Sequence, residues 1–356
     1  MDANRRPRRN LTMQDVATAA NVSLMTVSYA LRHHPSVSKA TGERVRRIAA
    51  DLGYAGNPMV SSLMKQIRWK KSDDQPKLAF LSTGPNRAAL FSDPFRKACF
   101  EGARHRAQSL GFDLELILIR SRSADTAARL TGRLSSRNIQ GLICEGSGPD
   151  APPVALDWTP FAACVLGRSD TCPGHHQVAS NDAAMVLLAI ERLKSRGYAR
   201  IGFLGGAFGD GRVEDAVIST LAGYNRSTPR HPVRFSLLSK AEWNAEAVTA
   251  WVRRHLLDAL IVQSPAMEPL LSASPLKVPG DLALATLEKT EKSHLAGIDR
   301  QPREIGAAAA ELVVHELYEN RRGLPLTRHT FLLDGRWVDG ATAPAKGNAK
   351  PDLRSA

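Results

Sequence analysis

From residue 77 onward, short apolar runs alternate with longer amphipathic segments, and this alternation restricts the fold more than any other feature. Strands that alternate with helices form parallel sheets covered by helices on both faces. Strands are predicted at 78–81, 112–119, 141–144, 163–166, 201–204, 259–262 and 282–285, and helices at 93–110, 124–136, 181–196 and 243–256. Roughly ten strands exceed the usual size of one sheet, so we expect two α/β subdomains.

The region before residue 57 has a different pattern, in which turns separate three short helices. Thr12 and Ser23 can cap the first two helices, and Asn21 suits the left-handed backbone of the tight turn between them. The third helix is predicted over 38–54. Two short helices joined by a tight turn and braced by a third form a helix-turn-helix. A plain three-helix bundle with a basic face is the alternative.

The second helix of a helix-turn-helix enters the DNA major groove, with its first residues against base edges. Leu24, Met25 and Tyr29 occupy those positions, so we expect them to contact bases. The residues better suited to phosphate contacts are Thr26, Ser28, Arg32, Lys39 and Arg44. The remaining candidates for DNA contact are Thr12, Ser23, Ser38, Asn57, Leu63 and Met64.

The charge distribution agrees with a polyanionic partner for the N-terminal region. The formal net charge is +13, and residues 1–71 hold 13 Lys and Arg against 4 Asp and Glu. Most of the excess positive charge therefore lies in about a fifth of the chain, which points to nucleic acid as the partner of this region. Residues 1–10 contain four arginines and form a basic arm.

The helical region resembles the headpiece of the LacI/GalR family of transcription regulators. The resemblance is carried by 12–17, Val22-Ser23, 26–28, Val37-Ser38, Thr41, Val45, 52–54 and Asn57-Pro58. It implies a helix-turn-helix domain over 11–56 and a hinge helix over 57–66, followed by an interdomain linker over 67–76. Leu63 matches the family's minor-groove wedge, with Met64 beside it, and such a wedge kinks the duplex. Tyr29 departs from the arginine that the family often has.

The remainder of the chain resembles the periplasmic-binding-protein-like core of the same family. The matching segments are 91–95, 197–202, Gly205-Gly206 with Arg212, 278–282, 298–302 and Ile305-Gly306. The resemblance implies a core over 77–340 of two parallel-sheet subdomains. In that fold the chain passes three times between the subdomains, and a small effector binds in the cleft. It also implies a homodimer.

Candidate effector-binding residues follow predicted strand ends or match family positions. Phe91 and Phe95 could form an aromatic wall against a sugar face. The resemblance implies that Arg212 and Glu288 hold ligand hydroxyls. Gln263 and Ser264 stand where the family usually has Asn-Asp. This loss of a carboxylate leaves open a less usual, more anionic ligand, or none.

Several other classes of protein are excluded by composition and motifs. No stretch approaches the roughly 20 apolar residues of a membrane span, and the start lacks a signal-peptide pattern, so we expect a cytoplasmic protein.

The four cysteines are far apart, with no Cys-x-x-Cys pair. Cys172, His175 and His176 could bind a metal, but Pro and Gly between them predict an exposed turn instead.

The sequence contains no P-loop and no nucleophile elbow, so we expect neither an enzyme nor a cofactor. The tail 341–356 is predicted to be disordered and lacks the leucine heptads of a coiled coil.

We therefore expect a dimeric repressor that binds a palindromic operator in double-stranded DNA. Its affinity for the operator would be controlled by a small-molecule effector, a sugar or sugar derivative. The first alternative is a DNA-binding regulator with a ligand-free core. The second is a solute-binding protein without a role on DNA.

Overall fold

The computed structural model describes residues 13–31, 37–52, 77–82, 86–119, 126–146, 154–168, 172, 174–206, 211–238 and 244–346. The chain divides into two compact units, Met1–Asp73 and Asp74–Ala356. We describe each unit by itself. The predicted basic arm, hinge helix and most of the linker lie outside the described residues.

The first unit contains three short helices: α1 (Met13–Ala20), α2 (Leu24–Leu31) and α3 (Lys39–Asp51). Their apolar faces share one small core, made by Val16, Ala17, Ala20, Val27, Ala30, Val45 and Ala49. Asn21 has a φ of 49° in the turn between α1 and α2. The Ser23 hydroxyl accepts a hydrogen bond from the Thr26 N–H at 3.1 Å. The predicted turn and helix start are therefore confirmed.

The second unit is built from twelve strands and eight helices, together with one short 3₁₀ turn, among its described residues. In its first half these are β1 (Lys77–Ser82), α4 (Arg87–Ser92), α5 (Pro94–Ser109), β2 (Asp113–Leu118), α6 (Thr126–Ser135), β3 (Ile139–Glu145), β4 (Ala162–Leu166), β5 (His176–Ser180), α7 (Asp182–Ser195) and β6 (Ile201–Gly206). The second half contains α8 (Gly211–Ser227), β7 (Arg234–Leu238), α9 (Ala245–Arg254), β8 (Ala259–Val262), the 3₁₀ turn (Pro265–Met267), α10 (Glu268–Ser272), β9 (Ala283–Thr286), β10 (Ala296–Asp299), α11 (Pro302–Tyr318), β11 (Thr330–Leu333) and β12 (Arg336–Val338).

The strands form two six-stranded sheets, as the alternating pattern predicts. The order in the first sheet is β11-β5-β4-β3-β1-β2, and in the second β12-β10-β9-β8-β6-β7. Neighbouring strands are parallel except for the antiparallel pair β10 and β12. The two sheets with their helices are called the first and second subdomains below.

The chain passes between the subdomains three times. The first crossover joins β5 to α7, the second joins β10 to α11, and the third joins β11 to β12. The three crossings that the family resemblance implies are therefore present. Because parallel strands present their carboxyl ends at one edge, side chains that follow the strands of both sheets are brought towards the crossovers.

Two glycines allow the helices α5 and α11 to approach closely. A Cβ at Gly102 would lie 2.0 Å from the Arg303 carbonyl oxygen, and one at Gly306 would lie 1.9 Å from that of Cys99. A side chain at either position would therefore force the helices apart. This contact fixes α11, which directly follows the second crossover, against the first subdomain.

The structure bears on two expectations about the core. The helix predicted over 93–110 is confirmed as α5, which starts where the Asp93 carboxylate accepts from the Phe95 and Arg96 N–H groups, whereas α4 before it was not predicted. The predicted disorder is wrong for residues 341–346. The backbone carbonyl of Thr342 accepts a hydrogen bond from the Leu284 N–H at 2.8 Å, and its hydroxyl accepts one from the Ala296 N–H at 2.9 Å. The ordered core therefore extends at least to Lys346, and 347–356 lie outside the described residues.

Candidate functional site

The amino end of α2 presents apolar side chains to solvent. Leu24 is 45% exposed and Met25 is 64% exposed, although both belong to an otherwise apolar helix. The inward face of α2 is filled by Val27 and Ala30, so the small core has no room for Leu24 and Met25. Two large apolar side chains at the start of a predicted recognition helix are positioned to contact base edges, including thymine methyl groups.

The hydroxyl groups around α2 and α3 have structural roles in helix capping. The Ser23 and Thr26 hydroxyls lie 2.8 Å apart, and the Ser38 hydroxyl accepts from the Thr41 N–H at 3.3 Å. Ser28 and Tyr29 are half-buried on α2. The predicted DNA-contacting residues outside the described part of the chain are Thr12, Arg32, Asn57, Leu63 and Met64.

The basic residues of α3 divide into one structural group and several exposed ones. Arg46 donates from Nη1 to the Ala30 carbonyl oxygen at 2.9 Å. This hydrogen bond gives a partner to a backbone carbonyl group in the last turn of α2. Lys39, Arg44 and Arg47 are exposed. The exposed cations, rather than Arg46, are therefore available to phosphates.

A cluster centred on Arg300 joins the two subdomains of the core. Arg300 follows β10 and donates from Nη1 to Glu288 Oε1 at 2.6 Å. Its Cζ lies 4.5 Å from the centroid of the Phe95 ring, which belongs to α5 of the first subdomain. Two of the predicted effector-binding residues, Phe95 and Glu288, are therefore brought together by an arginine that was not among the predicted site residues.

A second ion pair lies at the carboxyl ends of β1 and β3. The Ser82 hydroxyl donates to Glu145 Oε2 at 2.5 Å, and Arg96 Nε donates to Glu145 Oε1. The hydrogen bond with Glu145 raises the pKa of Arg96 above its usual value, against the opposing effect of burial. Glu145 is buried, so its charge is balanced within the protein rather than by solvent.

The other predicted effector-binding residues have separate positions. Phe91 on α4 packs edge-on against Phe100, with ring centroids 5.7 Å apart. Gln263 and Ser264 follow β8, which is the strand next to β9, and the Ser264 hydroxyl accepts from the Ala266 N–H at 3.4 Å. Arg212 lies in α8, and its side chain is outside the described part of the structure.

The ammonium group of Lys289 is bound within its own loop. Its ammonium group donates to the carbonyl oxygens of Ser293 and Leu295 at 2.8 and 2.6 Å, within its own loop. Burial lowers the pKa of Lys289. The Arg300 and Arg96 cations are paired with Glu288 and Glu145 respectively, and Asp182 also lies 3.8 Å from Arg300. These described charges therefore offer no excess positive charge to an anionic ligand.

The residues that sequence reasoning missed, Arg300 and Glu145, share one signal. Each directly follows or ends a strand, Arg300 after β10 and Glu145 at the end of β3. Ligand groups in open α/β sheets lie outside the carboxyl ends of the strands. Scanning every predicted strand end for charged residues would have found both.

The segment around Cys172 is buried, so the predicted exposed turn is wrong. Cys172, His175 and His176 are each less than 5% exposed. The His175 ring packs on Trp158 at a centroid distance of 4.4 Å, and His176 Nδ1 accepts from the His329 N–H at 3.0 Å. These contacts draw the segment into the edge of the first subdomain. Within the described residues, no group of three His, Cys, Asp or Glu side chains is arranged to hold a metal.

A cavity of about 270 Å³ lies elsewhere in the second subdomain, where Glu268 Oε1 and His294 Nε2 lie 3.0 Å apart in its lining. It opens near the amino ends of β9 and β10, whereas Glu288 and Arg300 follow the carboxyl ends of those strands. Leu284 and Leu295 in its lining are almost completely buried. The rest of the lining combines apolar side chains, such as Leu276 and Val278, with the polar side chains of Glu268 and His294.

The described helices include none that is both long enough and apolar enough to cross a membrane.

Comparison with known proteins identifies both units. Residues 12–57 match the family model of bacterial regulatory proteins of the lacI family, and residues 190–342 match a periplasmic binding protein-like domain. The chain belongs to the LacI family. The HTH-type transcriptional regulator CelR of Thermobifida fusca is 25% identical over 339 residues, which cover 89% of this chain and 94% of that protein. With both of these domains, this LacI-family chain is a DNA-binding transcriptional regulator.

Two solved structures share the fold of this LacI-family chain. The complex of the transcriptional regulator CelR with cellobiose is 21% identical, with a TM-score of 0.52, and the match covers 93% of this chain and 99% of that one. The lac repressor dimer bound to operator and the anti-inducer ONPF is 19% identical, with a TM-score of 0.53 and coverage of 95% and 100%. At these identities the likeness supports the architecture and not the details of the cleft.

Proposed function

We propose that this chain is a homodimeric repressor whose two headpieces bind the half-sites of a near-palindromic operator. A neutral sugar or sugar derivative in the cleft between the subdomains controls its affinity for that operator. The solved relatives bind cellobiose in one case and an operator with ONPF in the other, which supports both parts of the proposal. Two-fold symmetry of the protein would be mirrored in the operator.

The observation that carries the DNA-binding part is the exposed amino end of α2. Leu24 and Met25 are exposed on a helix whose other face packs in the small core, and α3 of the same unit carries the exposed cations Lys39, Arg44 and Arg47. Apolar contacts would provide sequence preference, and the cations would provide phosphate affinity. We propose Leu24, Met25 and Tyr29 as the base-contacting residues.

The observation that carries the effector part is that Glu288 of the second subdomain and Phe95 of the first both contact Arg300. A carboxylate that accepts hydrogen bonds beside an aromatic face is a suitable site for a sugar ring with its hydroxyl groups. Gln263, Ser264 and Arg212 would complete the site from the second subdomain. Closure or opening of the cleft would then change the spacing of the two headpieces.

A second candidate function is that of a regulator with a ligand-free core. The engagement of both cleft carboxylates favours it, because Glu145 is held by Arg96 and Glu288 by Arg300. In that case the core would respond to a protein partner rather than to a sugar.

Thermal unfolding in the presence of sugars separates these two functions. Cellobiose, lactose and ribose are suitable first probes, each tested with purified full-length protein. A bound ligand at 100 times its Kd stabilises the native state by about 2.7 kcal/mol, which raises the Tm by several degrees. The same sugar should change operator affinity, and the operator should change sugar affinity by an equal factor. A sugar that raises the Tm without changing operator affinity would contradict the proposed control.

A further inference from the structure

Arg300 contacts residues outside the proposed effector site as well as two within it. Besides Glu288 and Phe95, its Nε donates to the Ser180 hydroxyl at 3.2 Å, and its Nη2 lies 3.8 Å from Asp182 Oδ1. Its side chain is only 20% exposed. One guanidinium group thus joins four residues from three separate segments of the chain.

These four contacts fall on both sides of the cleft and on two crossovers. Phe95 belongs to α5 in the first subdomain, and Glu288 follows β9 in the second. Ser180 ends β5 and Asp182 begins α7, so they bracket the first crossover, while Arg300 itself lies in the second. The planar guanidinium has enough donors to hold these groups simultaneously.

The third crossover is tied to the other two by neighbouring residues. Asn181 donates to Asp334 Oδ1 at 2.7 Å, and Gln301 Nε2 donates to the Asp334 carbonyl oxygen at 2.8 Å. Arg336 pairs with Asp299 at 3.1 Å. All three crossovers are therefore held by side-chain contacts, and Arg300 is the member of this set that also reaches the proposed effector residues.

We propose that Arg300 is a positioning residue that latches the two subdomains together and orients Glu288 in the cleft. The inference builds on the proposed effector site. A ligand whose hydroxyl groups bind Glu288 adds to the hydrogen bond from Arg300, which holds the carboxylate in place for the ligand. The same guanidinium holds the crossovers, so occupation of Glu288 changes how firmly the subdomains are held. Arg300 thereby connects ligand binding to cleft geometry.

The latch is tested by measuring the distance between the subdomains in ligand-free protein. Spin labels on Gln108→Cys and Arg253→Cys would report it, since both positions are exposed, on α5 and α9 respectively. The four native cysteines are buried. Labelled protein is diluted with unlabelled protein so that each dimer carries at most one labelled chain.

Arg300→Ala and Glu288→Gln should each broaden the distance distribution and shift its centre. Arg303→Ala is the matched control: it removes an arginine of the same segment whose partner, Glu101 at 2.9 Å, lies in the same subdomain. That control should keep the wild-type distribution. Glu288→Gln tests the latch even if Arg300→Ala does not fold, because Glu288 is partly exposed and glutamine preserves its shape. Distributions unchanged in both variants would overturn the proposal.

The result is independent of the proposed function, because the distance measurement uses neither sugar nor DNA. If a sugar from the thermal unfolding screen binds, Arg300→Ala should weaken it by about tenfold or more, as loss of a charge-assisted hydrogen bond would. A latch without any sugar response would refute the sugar proposal and the connection to ligand binding, and would leave only the structural latch at Arg300.

Discussion

At the scale of single residues, Leu256 adopts a backbone conformation that most side chains avoid. It has a φ of 52° after α9 and is 67% exposed. The Leu257 N–H donates to the Val252 carbonyl oxygen and the Leu256 N–H to that of Arg253, which forms a Schellman motif. The same motif after α5 and α7 contains Gly111 and Gly197. Glycine is therefore the residue that suits this conformation, and leucine is strained there.

Leu256→Gly should raise the free energy of unfolding by about 1 kcal/mol, since the left-handed conformation costs a side chain roughly that much. Urea unfolding measures the change. Leu256→Ala is the control, because it removes the exposed side chain but keeps the strain. Equal stability of the two variants would show that the backbone of Leu256 is not strained.

His176 should make the core less stable in acid. Burial is the main cause that lowers the pKa of His176, with Glu316 opposing it and His329 and Arg321 adding to it. The neutral ring is also required because Nδ1 accepts the His329 N–H. A lowered pKa means that the unfolded chain binds the proton more readily, so stability is complete above about pH 6.5 and falls as the pH drops below that value.

His176→Asn should weaken this pH dependence, because an amide oxygen can still accept the hydrogen bond but does not titrate in this range. The measurement is the free energy of urea unfolding at pH 7.5 and pH 5.5. His315→Asn, at an exposed position on α11, is the control and should retain the wild-type dependence. If His176→Asn loses as much stability in acid as wild type, another group is responsible.

At the scale of elements, α2 should determine specificity without contributing much to stability through its exposed face. Met25→Ala is expected to reduce specific operator affinity by about 30-fold or more, because each of the two headpieces loses one base contact worth about 1 kcal/mol or more. Its Tm should barely change, because the side chain is 64% exposed. Leu52→Ala, which alters an exposed leucine just after α3, should leave affinity unchanged. Fluorescence anisotropy with specific and unrelated duplexes distinguishes these results, and equal losses on both duplexes would argue against base contact.

The elements that the sequence predicts well are those whose pattern is local. The helix cap at Ser23, the apolar face of α1 and the strands β1, β3 and β8 follow from spacing alone. The strands β5 and β12 are short and contain His176 and Arg336, so nothing in their composition distinguishes them from loops. Each of these two strands pairs with strands of its sheet only because the crossovers bring it there, and the crossovers cannot be read from a local pattern. The Arg300 cluster was missed for the same reason, since its members come from four separate segments.

At the scale of the whole molecule, the asymmetric charge should appear in the salt dependence of DNA binding. Removal of residues 1–9, which include Arg5, Arg6, Arg8 and Arg9, should reduce the slope of log affinity against log salt. Each lost phosphate contact lowers the slope by about 0.9. Titrations between about 50 and 200 mM salt measure it. An unchanged slope would mean that this basic arm does not contact phosphates.

Selection of bound sequences from a random pool of double-stranded DNA, with purified full-length protein at about 0.15 M salt, tests the central claim most directly. A regulator with paired headpieces should recover a near-palindromic site, and Met25→Ala should relax the preference at one symmetric pair of positions. Recovery of unselective DNA, bound only through salt-sensitive contacts, would contradict the account.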